Sequence, residues 1–210
     1  MIELLGLAAL AFMLGAIPFP YLIARAMAGI DIREHGSGNP GASNVFRVVG
    51  PGAGIVTFAL DTAKAAVAVS LAAWILPVGQ LASVDFVWYE ILLGILAVCG
   101  HVWSPFLGGR GGKGVATVIG VFWVVFPMGL LTGFLCGLVV VVVYRFFSLG
   151  SLVGVCALPV AYFLVKEQPW HPASLPILYL SLVATALVLA RHTDNIKRLL
   201  SGREHGMLQQ

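Results

Sequence analysis

Two glycine-rich polar segments and a basic tail hold most of the residues able to do chemistry. The first segment, Gly36-Ser-Gly-Asn-Pro-Gly-Ala-Ser-Asn44, has four Gly or Pro and four Ser or Asn residues, and Arg47 follows it. Backbone at Gly36, Gly38 and Gly41 tolerates positive φ and exposes N–H groups to an approaching ligand. Ser37, Asn39, Ser43 and Asn44 add side-chain donors, and Arg47 offers a planar fork for phosphate oxygens. The second segment runs from His101 to Thr117 and contains Gly111-Gly112-Lys113-Gly114. A Walker A loop would need Gly where Leu107 stands and Ser or Thr where Gly114 stands. It is therefore not a nucleotide loop of that kind. What remains is a glycine-rich turn and a lysine leading into a helix N-terminus, which is an anion site.

Two shorter segments follow. Arg145 to Ser151 lies at the mouth of an apolar stretch, and Ser151 suits either a helix N-cap or a ligand contact. In the tail from Arg191 to Glu204, His192 and Asn195 are three apart and are expected to share one helical face. Lys197 and Arg198 fit better to anionic lipid headgroups. Asp61 and Lys64, also three apart, sit inside an apolar stretch and predict an intrahelical ion pair rather than a substrate contact. No histidine has an Asp five residues on, as a His-x4-Asp dyad needs, and no Gly-x-Ser-x-Gly, His-Glu-x-x-His or carboxylate cluster appears. Such a set should bind two anionic groups and rely little on a protein base, with no metal.

These segments must be positioned by something apolar. Of the 210 residues, 60% are hydrophobic and only 10% charged, with a mean hydropathy of +0.98. Soluble domains carry about 25% charged residues, so lipid is the expected solvent. The formal charge of +3 and the lack of a basic helix or finger argue against nucleic acid. Cys99, Cys136 and Cys156 lie in apolar stretches without paired spacing and read as packing residues. The N-terminal apolar run has neither the basic n-region nor the cleavage site of a signal peptide and is expected to stay in the membrane.

Apolar runs extend over about Leu4–Ala28, Ala53–Leu76, Phe86–Val102, Val115–Tyr144, Leu149–Val165 and Leu175–Ala190. Pro18 and Pro20 should kink the first. The run Val115–Tyr144 is too long for one comfortable span, and Pro127 and Gly129 mark a turn near its middle. Splitting it gives seven spans. With the N-terminus outside, the inside loops then hold Arg25, Arg33, Arg47, Arg110, Lys113, Arg145, Arg191, Lys197, Arg198 and Arg203. Only Lys166 is left outside, with Glu3, Asp85, Glu90 and Glu167 and a belt of Trp88, Tyr89 and Trp170. The expectation is an all-α polytopic integral membrane bundle of seven transmembrane helices, N-terminus outside and C-terminus cytoplasmic. It forms a single domain over 1–210 with four polar cytoplasmic segments at about 29–52, 103–114, 145–150 and 191–210. A transporter would place polar groups near the midplane in inverted repeats, which are absent here. A lipid phosphatase would need a nucleophile and water as acceptor.

The stretches Gly36–Arg47, His101–Thr117 and Arg191-His-Thr-Asp-Asn-Ile-Lys-Arg-Leu together resemble the PlsY family, the acyl-phosphate:glycerol-3-phosphate acyltransferases of bacterial membranes. The resemblance covers essentially the whole chain. It implies acyl transfer from acyl phosphate to the 1-hydroxyl of sn-glycerol 3-phosphate, giving lysophosphatidic acid and phosphate. It also implies no metal or organic cofactor, no direct use of acyl-CoA or acyl carrier protein, and a place in the inner membrane with the site on the cytoplasmic side. By the same resemblance Ser37, Arg47, Lys113, His192 and Asn195 are catalytic. Gly36, Gly38, Asn39, Gly41, Ser43, Asn44, Gly111, Gly112 and Ser151 bind substrate. Ser43 stands where Thr is common in the family, and Gly109 and Arg110 where an aromatic residue and Lys are common.

Overall fold

A computed structural model describes residues 2–75 and 86–207, so Leu76 and Asp85 and the last residues of the tail lie outside it. Among the described residues all regular structure is helical. The order is α1 (Ile2–Ala16), α2 (Phe19–Ala28), a 3₁₀ turn (Ile32–Glu34), α3 (Ala42–Val48), α4 (Pro51–Ile75) and α5 (Phe86–Val102). A second 3₁₀ turn (Pro105–Leu107) precedes α6 (Val115–Val125), α7 (Pro127–Tyr144), α8 (Phe147–Val165), α9 (Leu175–Arg191) and α10 (Thr193–Leu200).

Proline dictates the first break. Pro18 and Pro20 remove two backbone donors, and the run expected as one kinked helix is two helices, α1 and α2. The carbonyl of Ile17 at the break accepts a 2.6 Å hydrogen bond from Lys64 Nζ on α4. The predicted Asp61–Lys64 pair is formed, at 2.7 Å, with both side chains buried. His101 at the end of α5 completes the cluster, its Nδ1 3.2 Å from Lys64 Nζ and 3.7 Å from Asp61 Oδ1. This buried charge therefore ties α1, α4 and α5 together beneath the polar loops.

The second break falls at Phe126, whose φ of −155° and ψ of 65° end α6 and start α7. The 11 residues of α6 rise only about 17 Å, against about 30 Å of hydrocarbon core. Among the described residues five helical stretches, the first made of α1 and α2 together, are long and apolar enough to cross a membrane, and α9 with α10 forms a sixth that is bent by 63°. Large apolar side chains such as Leu131, Val139 and Val143 on α7 and Leu164 on α8 face outward. A soluble surface would not carry that many in one band, whereas lipid tails cover them without cost.

Packing is closest in the α7–α8 hairpin, which turns at Arg145 and Phe146. Gly133 and Gly137 on α7 face Gly154 and Gly150 on α8. A Cβ added at Gly137 would stand 2.6 Å from the Gly150 carbonyl oxygen, so only glycine admits this approach. The main core, in which Val69, Leu93, Val121, Phe122 and Tyr162 are fully buried, joins α1, α4, α5, α6, α8 and α9 and reaches the hairpin at Leu130 and Leu158.

Candidate active site

The loop after α2 is shaped by one amide. Asn44, at the start of α3 and 1% exposed, donates from Nδ2 to the carbonyls of Ile32 (3.1 Å) and His35 (2.9 Å). Its Oδ1 accepts from the Ser37 backbone N–H at 3.0 Å. Gly36 and Gly38 take φ of +58° and +69°, the left-handed region in which a Cβ would be strained. The short helix α3 then sets Ser43 and Arg47 one turn apart on one face. Asn44 thus staples the loop, and it also lines the cavity described below.

The second loop is built against α5. Gly111 N–H donates to Val102 O (3.0 Å) and Gly112 N–H to His101 O (3.1 Å). A Cβ on Gly111 would lie 1.9 Å from the His101 carbonyl oxygen, and one on Gly112 2.2 Å from His101 Nε2. These two glycines were expected to touch substrate. The structure uses their missing side chains to seat the turn on His101, and neither lines the cavity described below. Gly114, with φ of +89°, opens α6 without a side-chain cap, which leaves the first N–H groups of that helix free for a ligand.

Segments that far apart in sequence meet around one cavity of about 440 Å³. Its polar end is lined by Ser37, Asn39, Gly41, Ser43 and Asn44 from the first loop, with Arg47, Lys113, Ser151, His192 and Asn195. Gly36 and Gly38 shape the loop without lining it. Asp61, His101, Ser148 and Glu204 add further polar groups, and the apolar part of the wall runs between α4, α6, α7 and α8. Ser151 lies inside α8, where its hydroxyl donates to the Phe147 carbonyl at 2.8 Å, so it does not cap the helix.

The tail departs from expectation at His192. The helix bends by 63° there, so His192 is the hinge between α9 and α10, and Asn195 lies on the second helix. Both line the cavity, with His192 as the N-cap of the short helix that carries Asn195 three residues on. His192 Nδ1 lies 2.8 Å from the Val188 carbonyl, which places the proton on Nδ1 and leaves Nε2 as an acceptor. Burial, and then the Lys113 charge, push this imidazole down to about 4, so it is neutral near pH 7.

Lys113 donates to Asn195 Oδ1. Asn195 in turn donates through Nδ2 to Glu204 Oε1 at 2.6 Å. Glu204 also accepts from Ser148 Oγ (2.9 Å) and from Arg198 Nε (2.9 Å). Burial would lift this carboxyl, but the three donors outweigh it and hold it below its ordinary value. Neither Glu204 nor Ser148 was marked in the sequence. The only hint was a lone carboxylate after a run of bases, which gains meaning once the tail folds back onto α8. Arg198 likewise pairs with Glu204 rather than standing free for lipid.

Burial, followed by the nearby Arg198 charge, pulls Lys113 down to about 8, and burial lowers Arg47 as well. Arg47 has no ion pair or hydrogen bond among the described residues. Two cations held in a half-buried cavity, both within the field of Glu204, are stabilised by an incoming dianion. No group of three potential metal ligands occurs among the described residues.

An amphipathic cavity in a lipid-facing helical bundle, cationic at its mouth and apolar along its wall, defines an integral membrane protein that handles phosphate-bearing lipid-like molecules. Residues 5–202 match the family model described as glycerol-3-phosphate acyltransferase. A glycerol-3-phosphate acyltransferase of Thermosynechococcus vestitus is 45% identical over 206 residues, covering 96% of this chain and 94% of that one. Another, from Moorella thermoacetica, is 40% identical over 197 residues, with 93% of each chain covered. Crystal structures of PlsY (YgiH), an integral membrane glycerol 3-phosphate acyltransferase, superpose with TM-scores of 0.84 in the glycerol 3-phosphate form and 0.82 in the lysophosphatidic acid form. Both are 34% identical and cover 97% of this chain and 95% of their own. The chain belongs to the glycerol-3-phosphate acyltransferase family, the PlsY family.

Proposed function

We propose that the protein moves a fatty acyl group from acyl phosphate to the 1-hydroxyl of sn-glycerol 3-phosphate, releasing lysophosphatidic acid and inorganic phosphate. The observation that carries this reading is the union of Arg47 and Lys113 with an apolar groove in one cavity. An acyl phosphate needs both halves: cations for its phosphate and a dry slot for its chain. The acceptor brings a second dianion, and two unpaired phosphates would otherwise repel. The family also makes the acceptor glycerol 3-phosphate.

In the reaction the acceptor hydroxyl oxygen forms a bond to the acyl carbon, and the carbon–oxygen bond to phosphate breaks. The proton passes to a phosphate oxygen, which leaves as hydrogen phosphate. Acyl phosphate is a mixed anhydride with a good leaving group, so orientation, which supplies about 7–11 kcal/mol in favourable cases, suffices without a strong protein base. Arg47, Lys113 and the free N–H groups at the start of α6 neutralise the leaving phosphate. His192 Nε2 and the Lys113–Asn195 pair hold glycerol phosphate in line. No cofactor, metal, acyl-CoA or acyl carrier protein enters the scheme.

The helices α1–α2, α4, α5, α6, α7, α8 and α9 form seven segments, with the N-terminus outside the bacterial inner membrane. The break at Phe126 supports counting α6 and α7 apart, and the Lys and Arg distribution supports the orientation. The mouth of the cavity then opens to the cytoplasm. Purified protein supplied with acyl phosphate, with and without glycerol 3-phosphate, tests the reading. Lysophosphatidate formed only with both substrates supports it. Phosphate released at equal rate without acceptor would make the protein a hydrolase. Arg47→Ala and Lys113→Ala should each abolish turnover and leave the bundle folded.

A further inference from the structure

The apolar wall of the cavity has an end. Along α7 and α8 it stops at Leu130 and Leu158, the lining residues farthest from the polar mouth on each helix. Both are buried, at 6% and 3% exposure, whereas Phe134 and Leu138 on the same wall are 41% and 44% exposed. The groove is thus open at its side and closed at its floor. Behind the floor stand Phe126 and Tyr162, ring centroids 6.4 Å apart and both buried. Between floor and mouth the glycines of the seam contribute bare backbone to the wall, beside Phe134, Leu138 and Val155. A Cβ at Gly133 would come within 3.1 Å of Leu158 Cδ2, so this leucine sits directly against the seam.

We propose that Leu130 and Leu158 set the acyl-chain length that the enzyme prefers, a proposal that rests on acyl phosphate as donor. From Ser148 to Leu158 on α8 is ten residues, about 15 Å of helix. An extended chain advances about 1.2 Å per bond, so the groove takes about 13 bonds, a donor of about 14 carbons with its phosphate beside Arg47 and Lys113. A shorter chain leaves the floor uncovered and forfeits dispersion contacts. A longer one must turn out past Phe134 and Leu138 into lipid, which pulls the carbonyl away from the acceptor.

The test is competition between saturated acyl phosphates of 10 to 20 carbons, at equal mole fraction in mixed micelles with glycerol 3-phosphate, read by mass spectrometry of the lysophosphatidates. Leu158→Ala and Leu130→Ala deepen the floor and should each move the optimum about two carbons longer, raising the 16- to 14-carbon product ratio about fivefold. Val155→Phe, one turn nearer the mouth, should move it about two carbons shorter. The ratio is internal to each preparation, so a partly unfolded variant still reports it, and each variant stands in if another fails to fold. An unchanged length profile in all folded variants overturns the proposal. Failure of the unaltered protein to form lysophosphatidate from any of these donors overturns the donor assignment instead.

Discussion

Replacing Gly111 with alanine tests how tightly the position of Lys113 is set. The new Cβ would lie 1.9 Å from the His101 carbonyl oxygen and 2.9 Å from that of Val102. Carbon and backbone oxygen do not stay inside 3.0 Å, so the turn must back away by at least about 1.1 Å. The carbonyls cannot give way, because α5 is packed against α1, α4 and α6. The retreat stretches the Gly111–Val102 and Gly112–His101 hydrogen bonds, each worth about 1 kcal/mol. Lys113, two residues on, moves with the turn. A displacement of about 1 Å at a positioned group costs roughly a hundredfold in rate, about 2.7 kcal/mol of barrier. Gly108→Ala is the control: it meets nothing within 4 Å and bears only the strain of φ +63°, about 1–2 kcal/mol. Steady-state kcat/KM for both substrates, with thermal unfolding in detergent, gives the comparison. If Gly111→Ala keeps more than a third of the activity of Gly108→Ala while folded, the seating of the turn on His101 does not position Lys113.

Three further outcomes follow from the same geometry. Lys113, drawn down to about 8, loses its charge in the empty enzyme above that pH, so KM for glycerol 3-phosphate should climb from pH 8 to 9.5. Over the same range stability should increase, since the unfolded chain binds the proton more tightly (ordinary value 10.5) and the burial cost of the cation disappears between about 8 and 10.5. A melting temperature that falls there would contradict the burial of this amine. Glu204→Gln keeps the shape but removes the charge that accepts from Asn195, Ser148 and Arg198. Denaturant unfolding should register a loss of about 3 kcal/mol, and the folded fraction should be at least tenfold less active. His192→Gln should raise KM about tenfold and leave the pH profile of kcat between 5.5 and 8 unchanged, because the imidazole is already neutral there. If the variant flattened an acidic limb present in the parent enzyme, the ring would be the proton acceptor.

What could be seen in the sequence was what local spacing controls. The prolines at 18 and 20 and the Pro127–Gly129 pair mark helix breaks because a missing N–H acts where it stands. The Asp61–Lys64 pair is fixed by a three-residue helical offset. The cations Arg47 and Lys113 were recognisable by type and by their glycine-rich settings. What the sequence could not show depends on partners far along the chain. Gly111 and Gly112 seat their turn closely on His101 and do not line the cavity. Asn44 lines the cavity, yet its amide also holds the carbonyls at 32 and 35. His192 and Asn195 share the first turn of α10, but the 63° bend at His192 had no sign in the sequence. Glu204 had only its place after a run of bases to mark it, since its meaning comes from Ser148, 56 positions earlier.

The Lys113–Asn195–Glu204–Ser148 chain of hydrogen bonds also has a bearing on how the enzyme comes into being. Lys113 leaves the ribosome 91 residues before Glu204. At about 5–20 residues per second that is an interval of roughly 5–20 seconds. The α7–α8 hairpin, whose contacts are local, can pair in the membrane during that wait. Until the tail swings back, the two cations face each other's field without that of Glu204, and Lys113 has no Asn195 to hold it. Synthesis thus makes the residues of the apolar groove available before Asn195 and Glu204, which complete its polar mouth.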